Sequence, residues 1–384
     1  MMPEFRVAEF FAGIGLVRLA LDQANFRTIF ANDIDYRKYE MYRANFGPDG
    51  FVLGDVRGIG GASIPTIDLA TASFPCTDLS LAGWRRGLDG HQSSMFWEFA
   101  RVLGEMGDHR PRVVVLENVP AFATSRGGSD LRAAIAALND LGYSCDLLVL
   151  DARHFVPQSR QRLFIVGTTL SVTWVTDWRE SSVRPKWVRL LVKGNPELRF
   201  HAFPLPPLPP SDMRLSDVVE RLSLSDPRWW ESLRLERFVQ TMRPKHHLRV
   251  EGLRHLPGVN WATAYRRTRD GCATWEVRSD SLAGCLRTAR GGSSKQALVE
   301  AGEGELRVRW LTVREYACLQ GAPNFRLPED LGRNQGLFGF GDAVCVPAVR
   351  WLAENYLRPL LLGERSPVPF NTPLPLFREV AYGV

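Results

Sequence analysis

Apolar runs and helical stripes alternate along the first 167 residues of the chain. RVAEFF (6–11) reads as a strand, AGIG (12–15) as a turn, and LVRLALDQA (16–24) puts Leu16, Leu19 and Ala20 on one helical face. TIFAND (28–33) predicts a second strand, followed by a helix over 36–46 that Gly47-Pro48 stops. Further strands are predicted at FVLGDV (51–56), IDLATASF (67–74), RVVVLENV (112–119) and CDLLVLDA (145–152), with helices at 94–106 and 129–142 between them. Several of these strands are apolar throughout rather than alternating, which is the pattern of a strand buried on both faces. The fold class that follows is α/β, a doubly wound and mostly parallel sheet, with functional loops at the carboxyl ends of its strands.

After RLFIVG (162–167) the pattern breaks down. FPLPPLPPSDM (203–213) is too rich in proline for a sheet or helix interior and reads as an extended linker. Periodicity returns at LRVRWLTVREYACLQG (306–321) and in a final helix at 344–357, so the intervening segment looks like an insertion. The domain division expected from this is 1–167, 168–280 and 281–384, the last returning to the first domain. No internal repeat is present.

Charge sharpens the division. Residues 168–280 hold 19 Lys and Arg against 13 Asp and Glu, which accounts for the whole net charge of +6, and they hold seven of the eleven tryptophans. Basic side chains mixed with aromatics suit a polyanion that carries flat bases, and an ordinary aromatic core under a solvated basic surface fits equally well. The six cysteines are scattered, with no paired or metal-ligand spacing, so reduced thiols and no metal are expected. No uninterrupted apolar run approaches the ~18 residues of a membrane span, and the N-terminus has no basic flank leading into an apolar stretch. A cytoplasmic protein without membrane contact is the expectation.

Candidate chemistry gathers at the predicted strand ends. Gly13 and Gly15 follow the first strand, where a ligand can approach the backbone closely, although the third glycine of a dinucleotide fingerprint is missing near Arg18. Asp33 and Asp55 follow the next two strands, where carboxylates could accept ribose hydroxyls and an adenine amino group; either could equally be a helix cap. Cys76 directly follows Pro75 at the end of IDLATASFP, a position from which a thiol can face a ligand crevice. Glu117 ends the next apolar run, and Arg160 and Arg162 alternate just before another strand. A nucleophile, an acid and cations at one sheet edge make up a catalytic constellation.

FFAGIG, ND, GDV, FPC, ENV, QSRQR, RTARGGSS and GFGDAVCVPAVRWLAENYL occur in the order and approximate spacing of the motifs of DNA (cytosine-5)-methyltransferases, and the chain resembles that family over nearly its whole length. The resemblance implies S-adenosylmethionine as cofactor, double-stranded DNA as partner and a flipped-out cytosine as substrate. It implies that Cys76 attacks C6 while Glu117, Arg160 and Arg162 support the ring. It assigns the cofactor pocket to Phe11, Gly13, Gly15, Asp33, Ile34, Asp55, Val56, Pro75, Met95, Asp342 and Val344. Ser80, Arg85, Arg86 and Arg290 are implied DNA contacts, with 168–280 as the target-recognition region. A bacterial modification enzyme is implied, monomeric, with a cognate restriction endonuclease as a separate partner.

The chain departs from the family pattern at Thr77, where glutamine is usual, at Leu16, where a third glycine is common, and at Asp342, where asparagine is usual. Asp342 could pair with the cofactor's ammonium but would repel its carboxylate. Three other readings remain open from sequence: a relative acting on tRNA, an inert DNA-binding homologue, and a nicotinamide dehydrogenase resting on the glycine turn alone.

Overall fold

The computed structural model describes residues 4–75, 95–171, 180–288 and 295–363. Seven strands, β1 (Phe5–Phe10), β2 (Phe26–Asp33), β3 (Phe51–Leu53), β4 (Leu69–Ala72), β5 (Val113–Asn118), β6 (Ser144–Asp151) and β7 (Gln161–Thr168), form one sheet in the order β3-β2-β1-β4-β5-β7-β6. β1 to β5 run parallel, whereas β7 is antiparallel to both β5 and β6. The mostly parallel, doubly wound sheet expected from the unbroken apolar runs is therefore present.

Successive residues of β1 feed two different cores. Val7 packs on the face covered by α1 (Leu16–Asp22), and Ala8 and Phe10 pack on the other, with α3 (Met95–Glu105) and α4 (Ser129–Asp140). α2 (Tyr36–Phe46) begins at Asp35, whose side chain accepts from the N–H groups of Arg37 and Lys38. The chain order reverses between β1 and β4, and a crevice at the strand ends of such a switch point is where ligands bind in open α/β sheets.

Beyond β7, α5 (Lys186–Gly194) precedes an extended stretch over 201–214 that has neither helix nor strand, as its prolines require. This part of the chain is fastened to β6 by Arg184, which pairs with buried Asp146 at 2.6 Å, while the Tyr356 hydroxyl donates to the same carboxylate at 2.8 Å. α6 (Ser232–Gln240) and α7 (Pro244–Arg254) then lead into an antiparallel sheet of β8 (Asn260–Arg269), β9 (Cys272–Val277), β10 (Gln296–Gly302) and β11 (Glu305–Trp310), in the order β11-β10-β8-β9. Its strands come from both sides of residue 280, where the sequence reading drew a domain boundary. Trp230, Trp275, Trp310 and Phe238 pack against one another in its core. Trp230 and Trp275, two of the tryptophans that suggested base recognition, are thus core residues.

α8 (Val313–Leu319), α9 (Arg333–Asp342), α10 (Val346–Leu352) and α11 (Arg358–Leu362) return to the large sheet and supply Leu319, Phe340, Trp351 and Leu360 to its core. The helical run 333–362 is long and apolar enough to cross a membrane, but 78% of its most apolar window is buried inside the protein. Its hydropathy is accounted for by core packing.

Candidate active site

The carboxyl ends of β1 and β2 form one half of the site. The chain turns after β1 through Phe11, Gly13 and Gly15, all at positive φ. At Gly15 only glycine fits, because a Cβ would stand 2.5 Å from the Phe46 ring and 2.7 Å from that of Tyr42. Leu16, in place of the family's common third glycine, is the first residue of α1 and is buried. The turn is held by Asp33: one carboxylate oxygen accepts from the Gly13 N–H at 2.8 Å, and the other accepts from the Asp35 N–H at 2.9 Å. Each oxygen keeps acceptor capacity for a further donor. Next to it Ile34 is 67% exposed, a flat apolar surface beside a carboxylate at the mouth of the crevice. Asp55 is half-buried and caps a short helical turn by accepting from the Arg57 N–H, while Val56 behind it is buried. Pro75 is exposed, and Met95 is half-buried at the start of α3.

Asp342, at the end of α9, pairs with Lys38 of α2 at 2.9 Å. Burial alone would lower the Lys38 ammonium, but Asp342 and Asp33 outweigh it and hold its pKa above the ordinary value. Asp342 is therefore not a lone acid at this edge: its charge is met by a lysine that sequence reasoning did not connect to it. Val344, two residues on, is buried.

Under the turn lies Glu9, 1% exposed, with neither carboxylate oxygen meeting a hydrogen-bond donor at bonding geometry among the described residues. Burial pushes its pKa up to about 8, against the smaller opposing effect of Arg18. Nothing in the sequence pattern had singled it out.

The ends of β4, β5 and β7 form the other half. β4 and β5 are in register from Leu69 with Val113 to Ala72 with Leu116, and the Asn118 amide donates to the Phe74 carbonyl at 3.4 Å. Cys76 itself, with Ser80, Arg85, Arg86 and Arg290, lies outside the described residues; Pro75 is the last one described before it. Because β7 runs backwards, its first residues lie beside the last residues of β5, and Arg162 reaches Glu117 with Nε to Oε1 at 2.9 Å. Both side chains remain partly open, 14% and 11% exposed.

Arg160 behaves differently from the catalytic role the resemblance implied. It is 2% exposed, and its guanidinium donates to the carbonyls of Leu286 at 2.8 Å, Gly341 at 3.2 Å and Ala343 at 2.5 Å. Burial, with Arg162 nearby, holds its pKa below the ordinary arginine value. Gln158, also fully buried, donates to the Leu319 carbonyl at 2.7 Å and accepts from the Leu286 N–H at 3.1 Å. The two residues clamp the returning C-terminal part onto the sheet edge, and a guanidinium committed to three carbonyls is a structural group.

One group near this edge went unnoticed in the sequence. Cys285 places its sulfur 3.5 Å from Arg160 and 3.9 Å from Arg162. Burial works to raise this thiol, but Arg160, Arg162 and Arg287 prevail and hold it below its ordinary value. Its signal would have been a cysteine two residues before the RTARGGSS run, and only the fold brings it to the arginines.

The strand order, with its reversed strand next to the edge, defines the class, that of the S-adenosylmethionine-dependent methyltransferase fold. Within that class the chain belongs to the C-5 cytosine-specific DNA methylase family, whose model matches residues 5–358, and it is a DNA cytosine methyltransferase. It is similar to the Type II methyltransferase M.DsaV of Dactylococcopsis salina, with 29% identity over 94% of this chain and 89% of the relative. It is also similar to the Type II methyltransferase M.Bsp6I of Bacillus sp. (strain RFL6), with 26% identity over 93% and 99%. Among solved structures, S. pombe Dnmt2 methyltransferase shares the fold at a TM-score of 0.60, with 19% identity over 94% of this chain and 99% of that one.

Proposed function

We propose that the protein transfers a methyl group from S-adenosylmethionine to C5 of a cytosine flipped out of a short specific sequence in double-stranded DNA, through a covalent bond between Cys76 and C6. The observation that carries this reading is the Glu117–Arg162 pair, 2.9 Å apart at the edge where β4 delivers the chain to Pro75. Asp33, Ile34 and the glycine turn fit an adenosine: an acid with acceptor capacity for ribose hydroxyls, an exposed apolar side chain for the base, and a backbone open to close approach. Asp342 and Lys38 together offer an acceptor and a donor to the ammonium and carboxylate of the methionine end.

Cytosine C5 is a poor nucleophile until the ring's aromaticity is interrupted. Addition of the Cys76 thiolate to C6 raises electron density at C5. Glu117 meets N3 and Arg162 meets O2, stabilising charge as it develops on that edge of the ring. When bound, the cofactor would supply an electrophilic methyl group on a sulfonium, with the neutral thioether as the leaving group. Loss of the C5 proton to a base and expulsion of the thiolate then restore the ring. Because C6 is inaccessible in a stacked duplex, the base has to be extruded, and residues 80–95 are assigned to closing over it.

Residues 168–280, together with β10 and β11 that complete their sheet, serve as the target-recognition region set within the catalytic domain, and Ser80, Arg85, Arg86 and Arg290 contact DNA. The enzyme acts as a monomer in the bacterial cytoplasm or nucleoid and, by analogy with the Type II relatives, as the modification arm of a restriction-modification system. Bisulfite sequencing of DNA from cells expressing the protein tests this. The expected result is 5-methylcytosine at one position of a short motif, lost completely in Cys76→Ser; methylation that persists in the variant removes the nucleophile.

A further inference from the structure

A second concave site lies away from the sheet edge. A cavity of about 660 Å³ opens where residues 227–234 meet the junction of β11 with α8 and the start of α9. Its volume falls within the range of small-molecule sites. Trp229, Trp230 and Trp310 supply its aromatic lining, and Arg228, Arg234 and Arg333 its charge, with Glu231 as the acid among the lining residues. α9 begins at Arg333 and ends at Asp342, so the cavity stands roughly 14 Å of helix from the glycine turn.

Its three arginines are not equivalent. Arg228 is paired with Asp226 at 2.8 Å and with Glu220 at 3.3 Å. Arg234 has no carboxylate partner among the described residues. Its guanidinium lies 4.0 Å from the centre of the Trp230 ring and 5.2 Å from that of Trp310, and the charge that acts on it is the like charge of Arg333. Stacking on indoles leaves the guanidinium edge of Arg234, with its donors, for an anion, and Arg333, which donates to the Leu311 carbonyl at 3.4 Å and has the Glu315 carboxylate nearby, adds a second cation.

A second, independent observation points the same way. Trp230 is 9% exposed, and its buried indole N–H has no hydrogen-bond partner among the described residues. A buried orphan donor is uncommon unless a ligand or water completes it. The walls are also pre-formed: Trp230 and Trp310 meet edge-on at 5.1 Å, and buried Arg309 grips Glu315 of α8 at 2.8 and 2.5 Å, fixing the β11–α8 corner. Ordered indoles beside the Arg234 guanidinium, which no carboxylate pairs among the described residues, suit a ligand that joins a phosphate to a flat ring.

We propose that this cavity is a nucleotide-binding site distinct from the methyl-transfer site, in which Arg234 and Arg333 take the phosphate and the indole wall takes the attached base. The ligand chemistry is that of a phosphorylated nucleobase, supplied either by a free nucleotide or by an unpaired nucleotide of a bound strand. The proposal does not depend on the Cys76 mechanism.

The test is calorimetric titration of the full-length protein with dAMP and, separately, with a twelve-residue oligothymidylate. Arg234→Gln and Arg333→Gln are compared with Arg237→Gln, an exposed arginine one helical turn further along α6 that does not line the cavity. Weakening of at least tenfold in the two cavity variants, with no comparable change in Arg237→Gln, is the expected result. Weakening of both ligands identifies a free-nucleotide site. Weakening of the oligonucleotide alone, with a salt-dependence slope lower by about one, identifies a strand contact. Equal weakening in all three variants reports only general surface charge and overturns the proposal, as does unchanged affinity in the cavity variants or failure of both ligands to bind the unmodified protein.

Discussion

Arg160, just before β7, and Arg162, its second residue, are separated by one position, yet they serve different regions. Arg160 is sealed among three backbone carbonyls of the returning C-terminal part, whereas Arg162 reaches across to Glu117 at a partly open edge. The difference shows how a sequence motif can join architecture and chemistry in five residues. A charge satisfied by fixed carbonyls in the interior holds segments together. One paired with a carboxylate at the rim can re-partner when a ligand arrives.

Substitutions at the two positions should separate the roles. The largest effect is expected from Arg162→Ala, which should lower kcat/KM for methyl transfer by about 10² to 10³-fold, the scale of removing one preorganised charge-stabilising donor. Its loss of stability in urea unfolding should be smaller than that of an Arg160 variant. Arg160→Met should do the reverse in kind, costing about 3 kcal/mol or more, because it strands buried carbonyls that now receive charge-assisted hydrogen bonds. An Arg160→Met protein that unfolds like the unmodified one would show the clamp to be dispensable and erase the contrast.

A subtler test concerns Glu9, whose buried carboxyl contrasts with the partly open Glu117. Its folded pKa of about 8 lies above its ordinary value of 4.5, so between those values the folded protein holds a proton that the unfolded chain has released. Its contribution to stability is therefore full below about pH 4.5, falls as pH rises and levels off above about pH 8. In Glu9→Gln the decline in stability between pH 5 and pH 8 should be shallower, as measured by urea unfolding at each pH. An unchanged slope would mean that another group carries the proton uptake.

Much of this was legible in the residues. The apolar runs marked the strands because burial on both faces leaves no alternation to misread, and Glu117 stood out as an acid ending such a run. Direction was not legible. RLFIVG reads as a strand whichever way it points, and the reversal that puts Arg162 beside Glu117 arises from a hairpin with β6. The pairing of Lys38 with Asp342 spans 304 positions and has no local signature. Composition also misled at the tryptophans, since a buried indole and a base-stacking indole are the same letter. Trp230 and Trp275 serve the core of the small sheet, while Trp230 also contributes to the wall of the adjoining cavity.

The strand order of that small sheet bears on how specificity could be exchanged between relatives. β10 lies between β11 and β8, so a graft of residues 168–280 makes β10 of one parent pair with β8 of the other, and any mismatch in length or register leaves unpaired N–H and C=O groups on the β10 edge. A chimera cut there invites aggregation before any question of target sequence arises. Cuts placed after residue 310 keep all four strands from one parent and make the transplanted unit a closed piece of hydrogen bonding.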